Sequence, residues 1–392
     1  MRPRQRSPAL LTVLLAVGFV ALGTLARTSG AAFSDTTENA SDSFVADICF
    51  ARPDSVQVGS TTSTANGTVT VPVTAVDPGL SFLIFNSRHN GNRPVNSMIR
   101  GKLNATGTAV EFTRVTNEAT PVTISIVWYL VTYEAGISVQ RGEVAPSSLT
   151  TNVTLTALGS TDRAFVTWSK TPASGDSTFG NDDFAVVDIT STTNLQVRVN
   201  ATNASHTIAW QVVEFLDADC AAVQRGTTSL PSSQLSTTVT LGSSVDTSRS
   251  FLLLDYRSSD GTAAIGNRML RGRITGPTSV VIDRSVGTAV IDEISWQVIE
   301  LGEGSRVQSG SASLGVGISG VQRALSTVDT TRAYAFGSTQ AGSGQNAGRT
   351  DYVGDDITGA ASFTLLLSPT GVTLNRNHWS GAADLAYFVV DF

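Results

Sequence analysis

The 392-residue chain is poor in the residue types on which most protein chemistry draws. It has two lysines, Lys102 and Lys170, so arginine carries nearly all the positive charge. With 26 basic against 32 acidic residues the formal charge is −6. A negative chain without a basic cluster is a poor match for a phosphate backbone, which excludes general nucleic-acid binding. Two cysteines are too few for a disulfide-dense scaffold or a four-thiolate zinc site. The three histidines, His89, His206 and His378, fall at unrelated places and read as surface residues. There is no G-x-S-x-G elbow, no H-E-x-x-H pair and no phosphate-binding loop, so a non-enzyme is expected. Gly315–Gly320 fits G-x-G-x-x-G in spelling but lacks the strand-to-helix setting that gives the pattern meaning. Asn181-Asp182-Asp183 and Asp355-Asp356 could offer oxygens to Ca²⁺, yet neither matches the twelve-residue calcium loop. No metal and no cofactor is therefore expected.

What the chain does have begins with an export address. Arg2, Arg4 and Arg6 precede an uncharged apolar run, Ala9 to Leu25, followed by Ser29, Gly30 and Ala31. Basic, apolar, then small is the order of a secretory signal peptide, with cleavage near Ala31. The alternative is an uncleaved anchor. A secreted, cell-surface-associated protein is expected, touching the membrane only through this segment before cleavage. Residues 32–52 form an N-terminal extension and a possible edge strand.

The rest repeats. Val-Gln-Arg-Gly occurs at 139–142 and 223–226, as Val-Gln-Ser-Gly at 307–310, and shortened to Val56-Gln57. A closing motif follows: Trp128 to Tyr133, Trp210 to Phe215, Trp296 to Leu301 and Tyr387 to Phe392. A third marker lies between them, Asp77 to Phe82, Asp162 to Phe165, Asp246 to Phe251 and Asp329 to Tyr334. Around these markers Val, Thr and Ile alternate with polar residues, as in Thr68 to Thr74, and Gly, Ser, Asn and Asp fill the gaps. The expected fold is all-β: four tandem antiparallel β-sandwich repeats of about 84 residues behind a signal-peptide helix. The repeats span 53–134, 135–217, 218–302 and 303–392. Trp296 to Leu301, the Gly302-Glu-Gly-Ser305 turn and Arg306-Val-Gln308 read as a hairpin linking successive repeats. A stiff rod or a compact tandem would follow.

Residues kept in every copy most simply serve the fold, so Trp128, Trp210 and Trp296 are expected in the core. Residues confined to one copy are better candidates for binding. The variable polar segments follow the third marker: Asn86 to Arg93, Ser169 to Asp183, Arg257 to Thr262 and Gly337 to Asp351. They supply the candidate ligand-loop residues His89, Asn90, Asn92, Arg93, Asp182, Asp183, Asp260 and Asp351. Cys49 and Cys220, each single-copy and each before a Val-Gln motif, could pair in an oxidising compartment, pair between chains or stay free.

Two resemblances add to this. Ala31-Ala-Phe-Ser-Asp-Thr36, with Asn39, Phe44 and Ala46, resembles the N-terminus of the TasA/camelysin group of exported bacterial surface and matrix proteins. The resemblance implies the export route. Val307-Gln-Ser-Gly310 and Ile294-Ser-Trp-Gln-Val298 resemble the two ends of the H-type lectin domain, which implies a six-stranded sandwich and no particular binding residue. The expected function is non-enzymatic adhesion or structural assembly at the cell surface or in the extracellular matrix. Its partners would be further copies or other surface proteins. The alternative is a lectin-like module holding glycans in loops at one end of the sandwiches.

Overall fold

The computed structural model describes residues 53–261, 265–341 and 358–392, all within one compact unit, Asp47–Phe392. The signal segment, the extension, Cys49 and Asp351 lie outside the described residues, and so do Asp355 and Asp356. Among the described residues no helix is long and apolar enough to cross a membrane.

The fold is all-β and built from three-stranded antiparallel sheets in pairs. Strands β1 (Pro53–Ser63), β2 (Gly67–Pro72), β3 (Ser81–His89), β4 (Arg100–Leu103), β5 (Ala109–Arg114) and β6 (Ile124–Tyr133) make the first pair, ordered β1-β6-β3 and β2-β5-β4. A short helix, α1 (Pro94–Ser97), lies between β3 and β4. The second pair comprises β7 (Ile137–Val144), β8 (Thr150–Thr154), β9 (Ala164–Thr171), β10 (Ala185–Ser191), β11 (Asn194–Val199) and β12 (Thr207–Phe215), ordered β7-β12-β9 and β8-β11-β10. The third has β13 (Ala221–Leu230), β14 (Ser236–Thr240), β15 (Ser250–Arg257), β16 (Arg271–Gly276), β17 (Ser279–Asp283) and β18 (Ile291–Leu301), ordered β13-β18-β15 and β14-β17-β16. The fourth has β19 (Arg306–Leu314), β20 (Gly320–Ala324), β21 (Tyr334–Ala341), β22 (Thr364–Ser368), β23 (Gly371–Asn375) and β24 (Ala383–Asp391), ordered β19-β24-β21 and β20-β23-β22.

Each residue of the Val-Gln-Arg-Gly motif has a physical task. The register places Gly142 opposite Trp210, Gly226 opposite Trp296 and Gly310 opposite Tyr387, with Gly59 opposite Trp128. A Cβ on Gly142 or Gly226 would stand 2.6 Å from the indole, so only glycine lets the ring lie across the neighbouring strand. The three tryptophans are buried, as expected. Gln140 clamps the end of β8, its Nε2 donating to Thr156 O and its Oε1 accepting from Thr156 N, both at 2.8 Å. Gln57, Gln224 and Gln308 do the same at Thr74, Ser243 and Ser326. Arg141 reaches back to the preceding pair, donating to Pro78 O and Ser81 O, and Arg225 donates to Thr161 O and Ala164 O.

The pairs close on one another. β4 packs on β9 and β12, β10 on β15 and β18, β16 on β21 and β24, and β22 on β3 and β6. The last contact brings the fourth pair onto the first, and Val56 N donates to Thr331 O at 2.7 Å. The arrangement is a closed ring rather than a rod. Its inner strands meet through rings in near-perpendicular contact: Phe82 with Phe165 at 5.8 Å, Phe165 with Phe251 at 5.9 Å and Phe82 with Tyr334 at 6.0 Å. The resulting apolar core is continuous across pairs, whereas the first and second pairs keep separate cores between their own sheets.

The expected hairpin between repeats is not formed. β18 is the central strand of its sheet, with both edges taken by β13 and β15, while β19 pairs with β24. The Gly-rich turn therefore carries the chain from one sheet to another. The same centrality explains why β12 and β24 are buried along almost their whole length, on both faces.

Candidate functional site

The inner strands β3, β9, β15 and β21 each put one polar residue opposite the residue before the Trp or Tyr. These are Asn86 (opposite Val127), Ser169 (opposite Ala209), Asp255 (opposite Ser295) and Ser338 (opposite Ala386). Three of them bridge pairs through the backbone. Ser169 Oγ accepts from Gly101 N at 3.0 Å and donates to Gly101 O at 3.2 Å. Ser338 Oγ accepts from Gly272 N at 2.9 Å, and Asn86 Nδ2 donates to Ala335 O at 2.9 Å. Asp255 differs, because its Oδ1 accepts from Trp168 Nε1 at 2.6 Å while Oδ2 is buried and makes no hydrogen bond.

These residues open onto a cavity of about 400 Å³ lined from all four pairs. Phe85, Asn86 and Ser87 come from the first, Trp168, Ser169, Lys170 and Gln211 from the second, Asp255 from the third, and Phe336 and Gly337 from the fourth. Asp255 is half-buried and lies in the wall of this cavity. Burial, reinforced by the nearby Asp188, pushes its carboxyl up to about 8 against the pull of Trp168, the Val187 backbone and Arg198. At neutral pH it is therefore a neutral acid, able to donate as well as accept. Gln211 completes one wall: its side-chain amide pairs with Leu83 N and Leu83 O, both at 2.9 Å, and covers the free edge of β3. Gln297 covers β9 in the same way at Val166.

A second cavity of about 420 Å³ lies between the first and second pairs, beside Arg141 and Trp210. Lys102 and its two carboxylates are spent on each other, with Lys102 Nζ 3.2 Å from Glu143 and 3.8 Å from Glu111, and Arg141 is spent on backbone carbonyls. The cavity at Asp255 is the better candidate because all four pairs line it and it mixes aromatic rings with polar groups that are not spent in ion pairs.

Of the described sequence-predicted loop residues, Asp183 alone reaches either cavity. His89 is buried, its Nδ1 accepting from Gly91 N at 3.0 Å while its own N donates to Ser362 Oγ at 3.2 Å. Burial and the neighbouring Arg114 push its imidazole down to about 3, so it stays neutral. The expectation of surface histidines thus fails for His89 and also for His206, because ring closure and loop packing cover them. Asn90 is exposed, Asn92 is half-buried, and Arg93 caps α1 and lies 3.5 Å from Glu118. Asp260 sits in the turn after β15, its carbonyl accepting from Arg268 Nη1 at 2.6 Å. Asp183 is buried, 3.4 Å from Lys170 Nζ, and reaches the rim of the first cavity. Burial pushes this carboxyl up and the ammonium down, each resisted by the other. Asp182 stands beside it with Oδ2 3.6 Å from His206 Nε2, and Asp176 Oδ2 is 3.2 Å from the same nitrogen. Cys220 is buried and disulfide-bonded.

The residues that sequence reasoning missed are Asp255, Trp168 and Gln211. The available signal was an acid inside the apolar run Phe251-Leu-Leu-Leu-Asp-Tyr256. No protein-family model matches the chain, and no curated protein does.

Proposed function

We propose that the chain is an exported, non-enzymatic saccharide-binding protein of the cell surface or extracellular matrix, with the cavity at Asp255 as its binding site. The observation that carries this is a cavity lined from all four pairs that combines amide, hydroxyl, carboxyl and aromatic groups. A sugar presents hydroxyls and apolar ring faces together. Asn86, Ser87 and Asp255 suit the first, and Phe85, Trp168 and Phe336 suit the second. The volume falls within the range of about 300–1,000 Å³ usual for small-ligand pockets.

The finer fold reading belongs to the same proposal: four tandem six-stranded sandwiches of about 84 residues, grown from one unit and closed into a ring. The recurring strand order and the H-type lectin resemblance support it. The basic-apolar-small N-terminus and the TasA/camelysin resemblance support export. Assembly with further copies would use outer strands, since Gln211 and Gln297 already cover the edges of β3 and β9.

A glycan array probed with residues 32–392 tests the reading. Reproducible binding to one saccharide class is expected. A blank array, with concentration-dependent oligomers by light scattering, would move the conclusion to a self-assembling matrix component.

A further inference from the structure

Three of the four sheet pairs end on a buried arginine that serves as a plug. Arg114 donates to Val95 O and Asn96 Oδ1; Arg284 to Gln234 O, Asn267 O, Ala289 O and Pro231 O; Arg376 to Ile318 O, Ala360 O, Gly381 O and Gly315 O. Each stands four residues after a strand position paired with the second strand: Val110 opposite Val71, Val280 opposite Val239, Val372 opposite Arg323. In the second pair Leu195 is opposite Val153, and four residues on stands Val199. There the guanidinium is missing, and the loops flanking β10 and β12 bring together Asp176, Asp182 and His206 instead.

We propose that Asp176, Asp182 and His206 form a binding site for one divalent transition-metal ion, of which Zn²⁺ is the type. Nε2 of His206 lies 3.2 Å from Asp176 Oδ2 and 3.6 Å from Asp182 Oδ2, and the three ligand atoms all lie within 4.8 Å of one another. Tetrahedral ligands bonded at about 2.1 Å stand about 3.4 Å apart, so the spacing is that of one coordination sphere. His206 is fully buried, and neither ring nitrogen makes a hydrogen bond. Its Nε2 lies 3.2 Å from Asp176 Oδ2 without forming a hydrogen bond, and that oxygen is itself buried without one. Two buried polar atoms that face each other without bonding suit a third atom shared between them.

The nearest cation does not fill the place. Lys170 Nζ is spent on Asp182 O at 2.7 Å and Asp183 Oδ1 at 3.4 Å. On the far side of the loop, Arg268 Nη1 donates to Gly180 O at 3.0 Å. Asn203 Nδ2 donates to Asp182 Oδ2 at 3.1 Å and holds that carboxylate in position, as outer groups do for metal ligands. One imidazole with two carboxylates suits Zn²⁺, Co²⁺ or Mn²⁺ better than Ca²⁺ or Mg²⁺, which take oxygen alone. The carboxylate side is partly open, leaving room for a further ligand.

Residues 32–392, stripped with chelator, should take up one Co²⁺ or Zn²⁺ per chain, with Co²⁺ giving visible ligand-field bands. Asp176→Asn and Asp182→Asn should each weaken uptake about tenfold or more. Asp219→Asn, on an exposed turn elsewhere, should leave it unchanged. Near-UV circular dichroism establishes that the variants are folded, and Zn²⁺ should raise the melting temperature of the parent but not of Asp176→Asn. No uptake by the parent, or equal uptake by a folded Asp176→Asn, overturns the site.

Discussion

Replacing Asp255 by asparagine should stabilise the protein, by an amount that grows with pH. The wild-type carboxyl has its midpoint at about 8 in the folded chain, against 3.8 when unfolded. Between those values the folded chain holds a proton that the unfolded chain has released. Raising the pH then favours unfolding, by about 1.4 kcal/mol per pH unit. The penalty is absent below pH 4, reaches about 4 kcal/mol at pH 7 and levels off above pH 8. Asparagine keeps an oxygen for the Trp168 indole N–H, placed 2.6 Å away in the wild type, and cannot ionise. The variant and the parent should thus unfold at similar urea concentrations at pH 4 and diverge steadily to pH 8. Equal m-values would show that both unfold from the same compactness. A difference independent of pH, or a variant less stable at pH 7 than at pH 4 relative to the parent, would mean that Asp255 is ionised and paired in the folded protein.

Gly142→Ala should cost about 1–3 kcal/mol, because its new methyl meets Trp210 at 2.6 Å. Gly315→Ala has nothing within 4 Å and should melt like the parent, so equal melting of both would refute the close-approach argument. Gln297→Leu removes the 2.9 Å and 3.1 Å bonds to Val166 N and O, at about 1–3 kcal/mol for each group left unpaired, and should speed hydrogen exchange at the Val166 amide. Unchanged exchange there would show that the edge of β9 is covered by something else. Cys220 is disulfide-bonded, and with Cys49 as the chain's other cysteine the protein purified under oxidising conditions should present no alkylatable thiol until reduced, then two. Reduction should cost about 2–4 kcal/mol, and thiols reactive without reductant would refute the pairing.

The repeated motifs were legible because their causes are local or recur. Gly142 beside Trp210, and Gln140 on the end of β8, are contacts within one sheet pair, and each pair has their like, with Tyr387 in the tryptophan's place in the fourth. Arg141 reaches across pairs, and Ser309 stands at its place in the fourth pair and Val58 in the first. The hairpin expectation failed because sheet membership depends on partners elsewhere in the chain: β18 had no free edge to offer β19. The histidines were misjudged for a related reason. His89 is buried by the turn at Gly359 to Ser362 of the fourth pair, a contact that exists only once the ring closes. Part of the cavity lay within the variable segments, which begin with Asn86 and Ser87, with Ser169 and Lys170, and with Gly337. Asp255 lies just before the third segment, on a strand otherwise apolar enough to read as core. Its counterparts Asn86, Ser169 and Ser338 are polar too, a pattern visible once the register is known.

The central claim is that the cavity lined by all four sheet pairs is the binding site. Calorimetric titration of the best array saccharide into the parent and into Ser87→Phe, which fills the cavity from β3, tests it directly. The account predicts one site per chain in the parent and loss of binding in the folded variant. Equal affinity in the two proteins would place the saccharide elsewhere and contradict it.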